Sequence, residues 1–430
     1  MAGALLRACQ DLMGKGIHPT AISDGFEVAL RKALEIIEGM AQPVDLNNRQ
    51  QLIENAITSL SSKVVSHHSD LLAPMAVDAI LKVINKETAT NVDLRDIHVS
   101  KKLGGTIDDS ELIDGLCFVD KTANRFAGGS GKVHNAKIGL IQFPLSAPKS
   151  DMDSNICVSD YTAIDRLLKE ERKHIVELVK KVIKTGVNVV LLQKSILREA
   201  VSDLALHFLA KKNVMVIKDI ERDQVDFISR TLNATPVAHI DQFTADKLGH
   251  ADLVEEVSQG GCKVIKVTGC PNQGKTISIL LRGSNQLVLD EAERSLHDSL
   301  CVVRALVKNR SLVPGGACVE MEVSYQLQKY AREIFGSDSY VTRAYGEALE
   351  LIPYTLSENA GMDPIVMVTE LRNRHEQGEK YTGLNIRKNT IQDMLGETVV
   401  QPTLVSVSAI TLATECVRMI LKIDDIVMSR

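Results

Sequence analysis

A stripe of apolar residues runs through Leu289, Ala292, Leu296, Leu300, Val303 and Val307 in steps of three and four. That spacing predicts one buried face of a helix. Arg304, Lys308 and Arg310 gather at its C-terminal end, where cations suit the helix dipole, and Pro314-Gly315-Gly316 breaks it. Stripes of the same period predict helices over 5–13 and 22–40 and near 49–62 and 70–84, so the chain opens as an all-helical unit. After Asn85 the pattern changes. Residues 96–100 and 136–143 read as strands, and a long charged helix over 161–185 follows. Strand, helix, strand, helix and strand then alternate over 187–192, 202–212, 214–217, 223–232 and 237–240. That alternation predicts a parallel α/β domain. Residues 264–268 and 277–281 are a further strand pair. From Leu289 the chain is helical again, with strands expected only at 384–387 and 423–427. The expected class is α+β and multidomain, with an α/β domain inserted into a discontinuous helical one.

Composition narrows the picture. At 430 residues the chain is too long for one core. Tryptophan is absent and aromatic residues make up 3%, so the cores rest on Leu, Ile, Val and Ala. A net charge of −5 is mild and shows no basic domain, which argues against a dedicated nucleic-acid binder. The eight cysteines form no C-x-x-C pair and have no zinc-ligand spacing, so they read as free thiols of a reducing, cytoplasmic compartment. The first thirteen residues lack a signal-like apolar run, and Asp11 interrupts what there is. The last helix, expected over 405–427, carries Glu415, Arg418, Lys422, Asp424 and Asp425, so no membrane span is expected there. His67 and His68 are adjacent and do not share a helix face, so no metal site is assigned to them.

Two stretches carry candidate chemistry. GCPNQGKT (269–276) matches the phosphate-binding pattern G-x-x-x-x-G-K-[ST] in full. Such a loop needs a helix after it, so that backbone amides and the helix N-terminus face the phosphate. The residues that follow, ISILLR, alternate with period two and predict a strand, which disfavours a P-loop NTPase. Asp298 lies off the apolar stripe of its helix. A lone carboxylate there is ordinarily a solvated residue, and Arg294 at i−4 is its plain partner.

The residues around Asp298 add a second reading. HDSLCVVRALVKNRSLVPGGA (297–317) resembles the stretch of group II chaperonins, the TCP-1/thermosome type, in which an aspartate activates water for ATP hydrolysis. KKLGGTIDDSELIDGL (101–116), AHIDQFTADKLG (238–249), LIPYTLSENAGMDP (351–364) and ATECVRMILKIDDIV (413–427) resemble the same family in the same order. The resemblance implies a GroEL-like architecture. Its helical equatorial domain would comprise 1–33 and 309–430, its small intermediate domain 34–113 and 276–308, and its α/β apical domain 114–275. It implies Asp298 as general base, and Gly315, Gly316, Asn385 and Gln401 as nucleotide contacts. Pro314 stands where the family's turn has a first glycine, and it lacks an amide hydrogen. Many relatives have a carboxylate at the position of Gln401 that binds the ribose hydroxyls.

The resemblance further implies ATP and Mg2+ as cofactors, related subunits in a double ring as partners, and unfolded polypeptides such as actin and tubulin as clients. Client contact is expected at His207, Lys211 and Lys212 and near 144–151, with the 161–185 helix as part of a lid. A polypeptide-binding fragment that needs no nucleotide is the alternative. In the family, the segment resembling 2–43 follows the phosphate loop and a Gly-Asp-Gly-Thr-Thr motif whose aspartate binds the metal. The metal ligand is therefore expected outside these 430 residues, together with poor hydrolysis by this chain alone and exposed apolar residues over 2–43 and 402–427.

Overall fold

The computed structural model describes the chain except residues 87–88, 120, 122–130, 147–159, 196–198, 260–261, 272–275, 426 and 429–430. The chain forms two compact units, Met1–Ser62 with Asp298–Arg430, and Lys63–His297. The first unit begins with α1 (Ala2–Gly14), α2 (Pro19–Met40), β1 (Gln42–Pro43) and α3 (Arg49–Leu60). Pro19 starts α2 at a position where its missing N–H costs nothing, and the His18 ring accepts from the Thr20 amide. The period-3.6 stripe of α2 is buried from Ile22 to Met40.

The second unit opens with α4 (Ser69–Val83), β2 (Ile97–Leu103), β3 (Glu111–Ile113), β4 (Gly115–Val119) and β5 (Lys132–Ile141). It continues through α5 (Tyr161–Lys184), β6 (Val189–Gln193), α6 (Asp203–Lys211), β7 (Met215–Ile220) and α7 (Arg222–Leu232). It closes with β8 (Gly249–Gln259), β9 (Cys262–Thr268) and β10 (Ile277–Gly283). Six strands form one sheet in the order β4-β9-β8-β5-β6-β7. Only β5, β6 and β7 run parallel; β8 and β9 pair antiparallel with each other and with β5 and β4. The sheet is therefore mixed where the alternation predicts a parallel one. The strand that changes it, β8, reads GHADLVEEVSQ, and its acidic residues hide its period while Ala251 and Val254 go inward. Val237 makes only an isolated bridge to Ile141, and 240–242 turn into a 3-10 helix where a strand is expected. The sheet is packed on both faces, one core around Ile138, Ile217 and Ile265 and the other around Val190, Val182 and Leu209. A smaller sheet, β2-β10-β3, has β10 at its centre. Thus β9 and β10 are both strands, but they belong to different sheets and do not pair.

Helix α8 (Gln286–Lys308) contains the division between the units, and all six residues of its stripe are buried. The first unit resumes with β11 (Ser311–Pro314), α9 (Cys318–Ala331), α10 (Ser337–Leu349), α11 (Leu351–Asn359) and α12 (Pro364–Glu376). It ends with β12 (Thr382–Asn385), β13 (Thr390–Asp393), β14 (Val400–Pro402) and α13 (Thr403–Leu421). Its core joins α1, α2, α9, α10 and α13, with the rings of Phe26 and Tyr345 edge to face at 5.2 Å. The Tyr345 hydroxyl is satisfied by Thr414 at 2.7 Å. Among the described helices, α13 alone is long and apolar enough to cross a membrane. It packs against α2, where Arg418 donates to Glu27 at 2.6 Å, and it leaves Leu412 and Met419 exposed. Residues 423–425 follow the end of α13 without forming the expected strand.

Candidate functional site

The strand β11 is central to a three-stranded sheet, pairing Leu312 with Gln42 and Val313 with Gln401. That sheet presents Gly315 and Gly316 between a strand and the start of helix α9. The Gly315 amide donates to the Val399 carbonyl at 2.9 Å, and the Gly316 carbonyl accepts from the Leu384 amide at 2.9 Å. Gly316 holds φ +66°, and a Cβ there would lie 2.7 Å from the Met394 sulfur and 2.9 Å from the Leu384 oxygen. Glycine is thus required first for the close approach of this turn to β12. The third turn residue, Ala317, also holds a positive φ, +59°. Pro314 is in extended strand opposite Val400, and the positive φ of this segment falls on Gly316 and Ala317. Among the described residues, the amides of Gly316 and Ala317 have no backbone acceptor. They adjoin the positive end of α9.

Two cavities meet at this turn, and Gly316 and Leu356 line both. One, of about 530 Å³, is bounded by Leu384, Asn385, Ile386, Met394 and Val399 and by Ile57, Thr58 and Ser61 at the end of α3. The other, of about 490 Å³, is bounded by Ala317, Glu320, Thr355, Asn359 and Gln401. Asn385 is buried and its carboxamide is committed. Its oxygen accepts from the amides of Arg387 and Lys388, and its nitrogen donates to Gln392. It caps the β12–β13 turn and forms cavity wall at once. Gln401 donates through Nε2 to the Ser406 hydroxyl at 2.7 Å. The structure brings Gly315, Gly316, Asn385 and Gln401 into one neighbourhood. Asp298 does not line either cavity. The residue after it, Ser299, meets Ser59 of α3 at 3.0 Å, and Ser59 neighbours the cavity residue Thr58.

Two buried acids near the turn are not singled out by the sequence reading. Glu322 faces the inside of α9 and receives Gln326 at 2.9 Å and the His375 ring at 2.6 Å. The other His375 nitrogen donates to the Thr382 carbonyl at 3.0 Å, so this pair ties α9 to α12 and β12. Burial pushes the Glu322 carboxyl up, but the hydrogen bonds from His375 and Gln326 outweigh it and hold it below the ordinary range. Glu320 is also buried, and burial raises its carboxyl. The buried Cys318 thiol is pushed up, first by burial and then by these acids, and is chemically quiet. Only the order of helix and strand around them signals these acids, because α9 buries residues on nearly all sides.

Elsewhere, α6 buries Ala205, Leu206, Leu209 and Ala210 and exposes Leu204, His207, Lys211 and Lys212. In α5 the buried residues are Ile175, Val179 and Val182, while Tyr161, Ile164, Leu167 and Leu168 in its first half are exposed. Of the expected client loop, residues 147–151 lie outside the described residues. The motif at 269–276 is followed by strand β10, and the Thr276 hydroxyl is buried against Thr231 at 2.7 Å. Among the described residues no helix directly follows this motif, which removes the P-loop reading; residues 272–275 lie outside the described ones. His67 is exposed and His68 meets Asp108. Among the described residues no group of three His, Cys, Asp or Glu could hold a metal ion.

Strand, glycine turn and helix thus meet between two adjoining cavities. The TCP-1/cpn60 chaperonin family model matches residues 1–430. The structure is similar to the open-state monomer of a group II chaperonin from Methanococcoides burtonii, with a TM-score of 0.75, 33% identity, and 98% of this chain and 97% of that one covered. The chain belongs to the TCP-1/cpn60 chaperonin family, and its function is that of a chaperonin subunit. Its relatives within the family include the T-complex protein 1 subunit delta of Bos taurus, 59% identical over all of this chain and 79% of that protein. That of Arabidopsis thaliana is also 59% identical, over all of this chain and 80% of that protein.

Proposed function

We propose that the chain acts as one subunit of an ATP-driven cytosolic folding chamber, assembled with related subunits in a double ring around unfolded polypeptides such as actin and tubulin. The observation that carries the reading is the turn at Gly315 and Gly316, with amides at the head of α9 that have no backbone acceptor among the described residues and a cavity on each side. The cavity beside Asn385 is walled by Leu384, Ile386, Met394 and Val399 and is large enough for a purine. Asp298 is proposed as the general base on the attacking water, with Mg2+ supplying charge neutralisation when bound. The exposed row His207, Lys211 and Lys212 on α6 is proposed to meet clients, and the first half of α5 to serve as lid. The domain reading is proposed with it. The six-stranded sheet lies within 114–275, while β2, β3 and β10 make a separate sheet from 97–113 and 277–283. The boundary at residue 34 falls inside α2.

The test is purification of the tagged chain from eukaryotic cells. The expected product is a ring-sized assembly containing related subunits, with magnesium-dependent ATP turnover. Asp298→Ala should lower the turnover of this subunit about a hundredfold or more. A chain that elutes free of related subunits, or turnover indifferent to Asp298→Ala, would overturn the reading.

A further inference from the structure

We infer that His375, oriented by Glu322, is a positioning residue for the glycine turn: it fixes the place of β12 against Gly315 and Gly316. This rests on the nucleotide reading above and names what holds one wall of that site. The His375 side chain is fully buried and that of Glu322 is 3% exposed.

The contact between β12 and the turn is backbone on backbone. The Leu384 amide donates to the Gly316 carbonyl at 2.9 Å, and a Cβ on Gly383 would lie 3.0 Å from the carbonyl oxygens of both Gly315 and Gly316. Backbones this close have no side chain between them to set their spacing, so the strand needs an anchor outside the contact. Thr382, the first residue of β12, supplies it. Its carbonyl can only accept, so the His375 Nε2 that meets it at 3.0 Å carries a hydrogen. The other ring nitrogen, Nδ1, lies 2.6 Å from the Glu322 carboxylate on α9, and that contact locks the ring in one orientation. Gln326 holds Glu322 in turn at 2.9 Å. The connection therefore runs from α9, which begins at the turn itself, through α12 to β12.

The neighbouring contacts show that a brace between helices is not all this pair provides. Glu350 accepts from Ser324 and Gln328 of α9 and from Arg372 of α12, so those two helices are already tied. Arg374 donates to the Ile391 carbonyl at 2.9 Å, which holds β13 and not β12. The Cys318 thiol reaches the Lys380 carbonyl at 3.1 Å, short of the strand, and a thiol is a weak donor. Of these contacts only that of His375 ends on β12, the strand that meets Gly316.

The experiment uses the full chain and two variants that each keep one of the two ring bonds. The amide nitrogen of His375→Asn takes the place of Nδ1 and reaches Glu322 but not Thr382. That of His375→Gln takes the place of Nε2 and reaches Thr382 but not Glu322. ATP affinity, the denaturant midpoint, and hydrogen exchange at the Leu384 amide without nucleotide are measured for each. His375→Asn should bind ATP about tenfold more weakly and exchange the Leu384 amide about tenfold faster, while His375→Gln stays within about threefold of the wild type on both counts. Stability should rank the other way, with His375→Gln the less stable, because it leaves Glu322 buried without the imidazole. If His375→Gln does not fold, Glu322→Gln added to it removes the buried charge, and the double variant is read in its place. Affinity that follows stability, or wild-type affinity and exchange in His375→Asn, overturns the assignment. A wild type that binds no ATP sinks the nucleotide reading. The Leu384 exchange then decides the positioning role by itself, and an unchanged rate in His375→Asn overturns it.

Discussion

Two glycine-bearing turns in this chain invite comparison. The one at 269–276 satisfies a phosphate-loop pattern letter by letter; the one at Gly315 and Gly316 satisfies none. In the fold their standing reverses. The first leads out of β9 into β10, strands of two different sheets, and its Gly269 lies against Asp252, where a Cβ would come within 2.3 Å of a carboxylate oxygen. The second leads out of β11 into the fourteen-residue helix α9, with amides at the helix head that have no backbone acceptor among the described residues and a cavity on either flank. Phosphate recognition depends on where backbone N–H groups point and on the dipole behind them, not on the letters that usually deliver that geometry. Strand, turn and helix in sequence is the requirement, and only the second turn meets it.

The comparison can be broken most forcefully through the pair that braces the second turn. His375→Ala leaves Glu322 charged and buried without its partner and frees the Thr382 carbonyl, so it should cost about 4 kcal/mol in denaturant unfolding. Acid tests the same pair with a definite sign. The folded Glu322 carboxyl lies below its ordinary 4.5, so its stabilisation is complete above that value and disappears as the pH falls through the lower folded one. The stability gap between wild type and Glu322→Gln should therefore be constant near pH 7 and narrow below about pH 4.5. A gap that is independent of pH down to the acid transition would show that Glu322 is not ionised as inferred.

A smaller loss, about 3 kcal/mol, is expected from Gly316→Ala, which adds left-handed strain to overlap with Met394 and Leu384. Because both cavities share Gly316, nucleotide binding should fail together with stability; a stable variant with intact binding would remove the turn from the site. Ala317→Gly works in the opposite direction. It relieves a residue held at φ +59° and should stabilise the chain by about 1 kcal/mol, read as a higher denaturant midpoint. The smallest effect belongs to the other turn. Lys275→Ala should change stability by less than about 0.5 kcal/mol and leave nucleotide affinity unaltered. A large loss of affinity in that variant would restore the phosphate-loop reading and undo the comparison.

Several features were legible because a local period carries them. The stripe from Leu289 to Val307 predicted α8, and 161–185 predicted α5 to within a residue. The split of α6 into a buried row and an exposed row follows from the same rule. What failed was non-local. Strand β8 carries acidic residues along a partner strand and so does not look apolar, although Val254 is fully buried. Residues 423–427 have β-branched character, yet their described part forms no strand because hydrogen-bonded pairing requires a neighbour.

The amino-acid sequence by itself determined the periodic helices, the parallel half of the large sheet and the chaperonin likeness carried by ordered motifs, whereas the break it placed at Pro314 comes at Lys308, with strand β11 between. It could do so because each of these is written in residues close together along the chain. Only the tertiary structure decided that Gly316 is wedged against Met394, that Ala317 takes a positive φ while Pro314 stays extended, and that Glu322 meets His375. Those outcomes depend on β12, β14 and α12, which arrive at the turn from some fifty to ninety residues downstream. The charge and hydrogen-bonding state of a buried acid is set by whatever the fold brings beside it, and no local pattern encodes that.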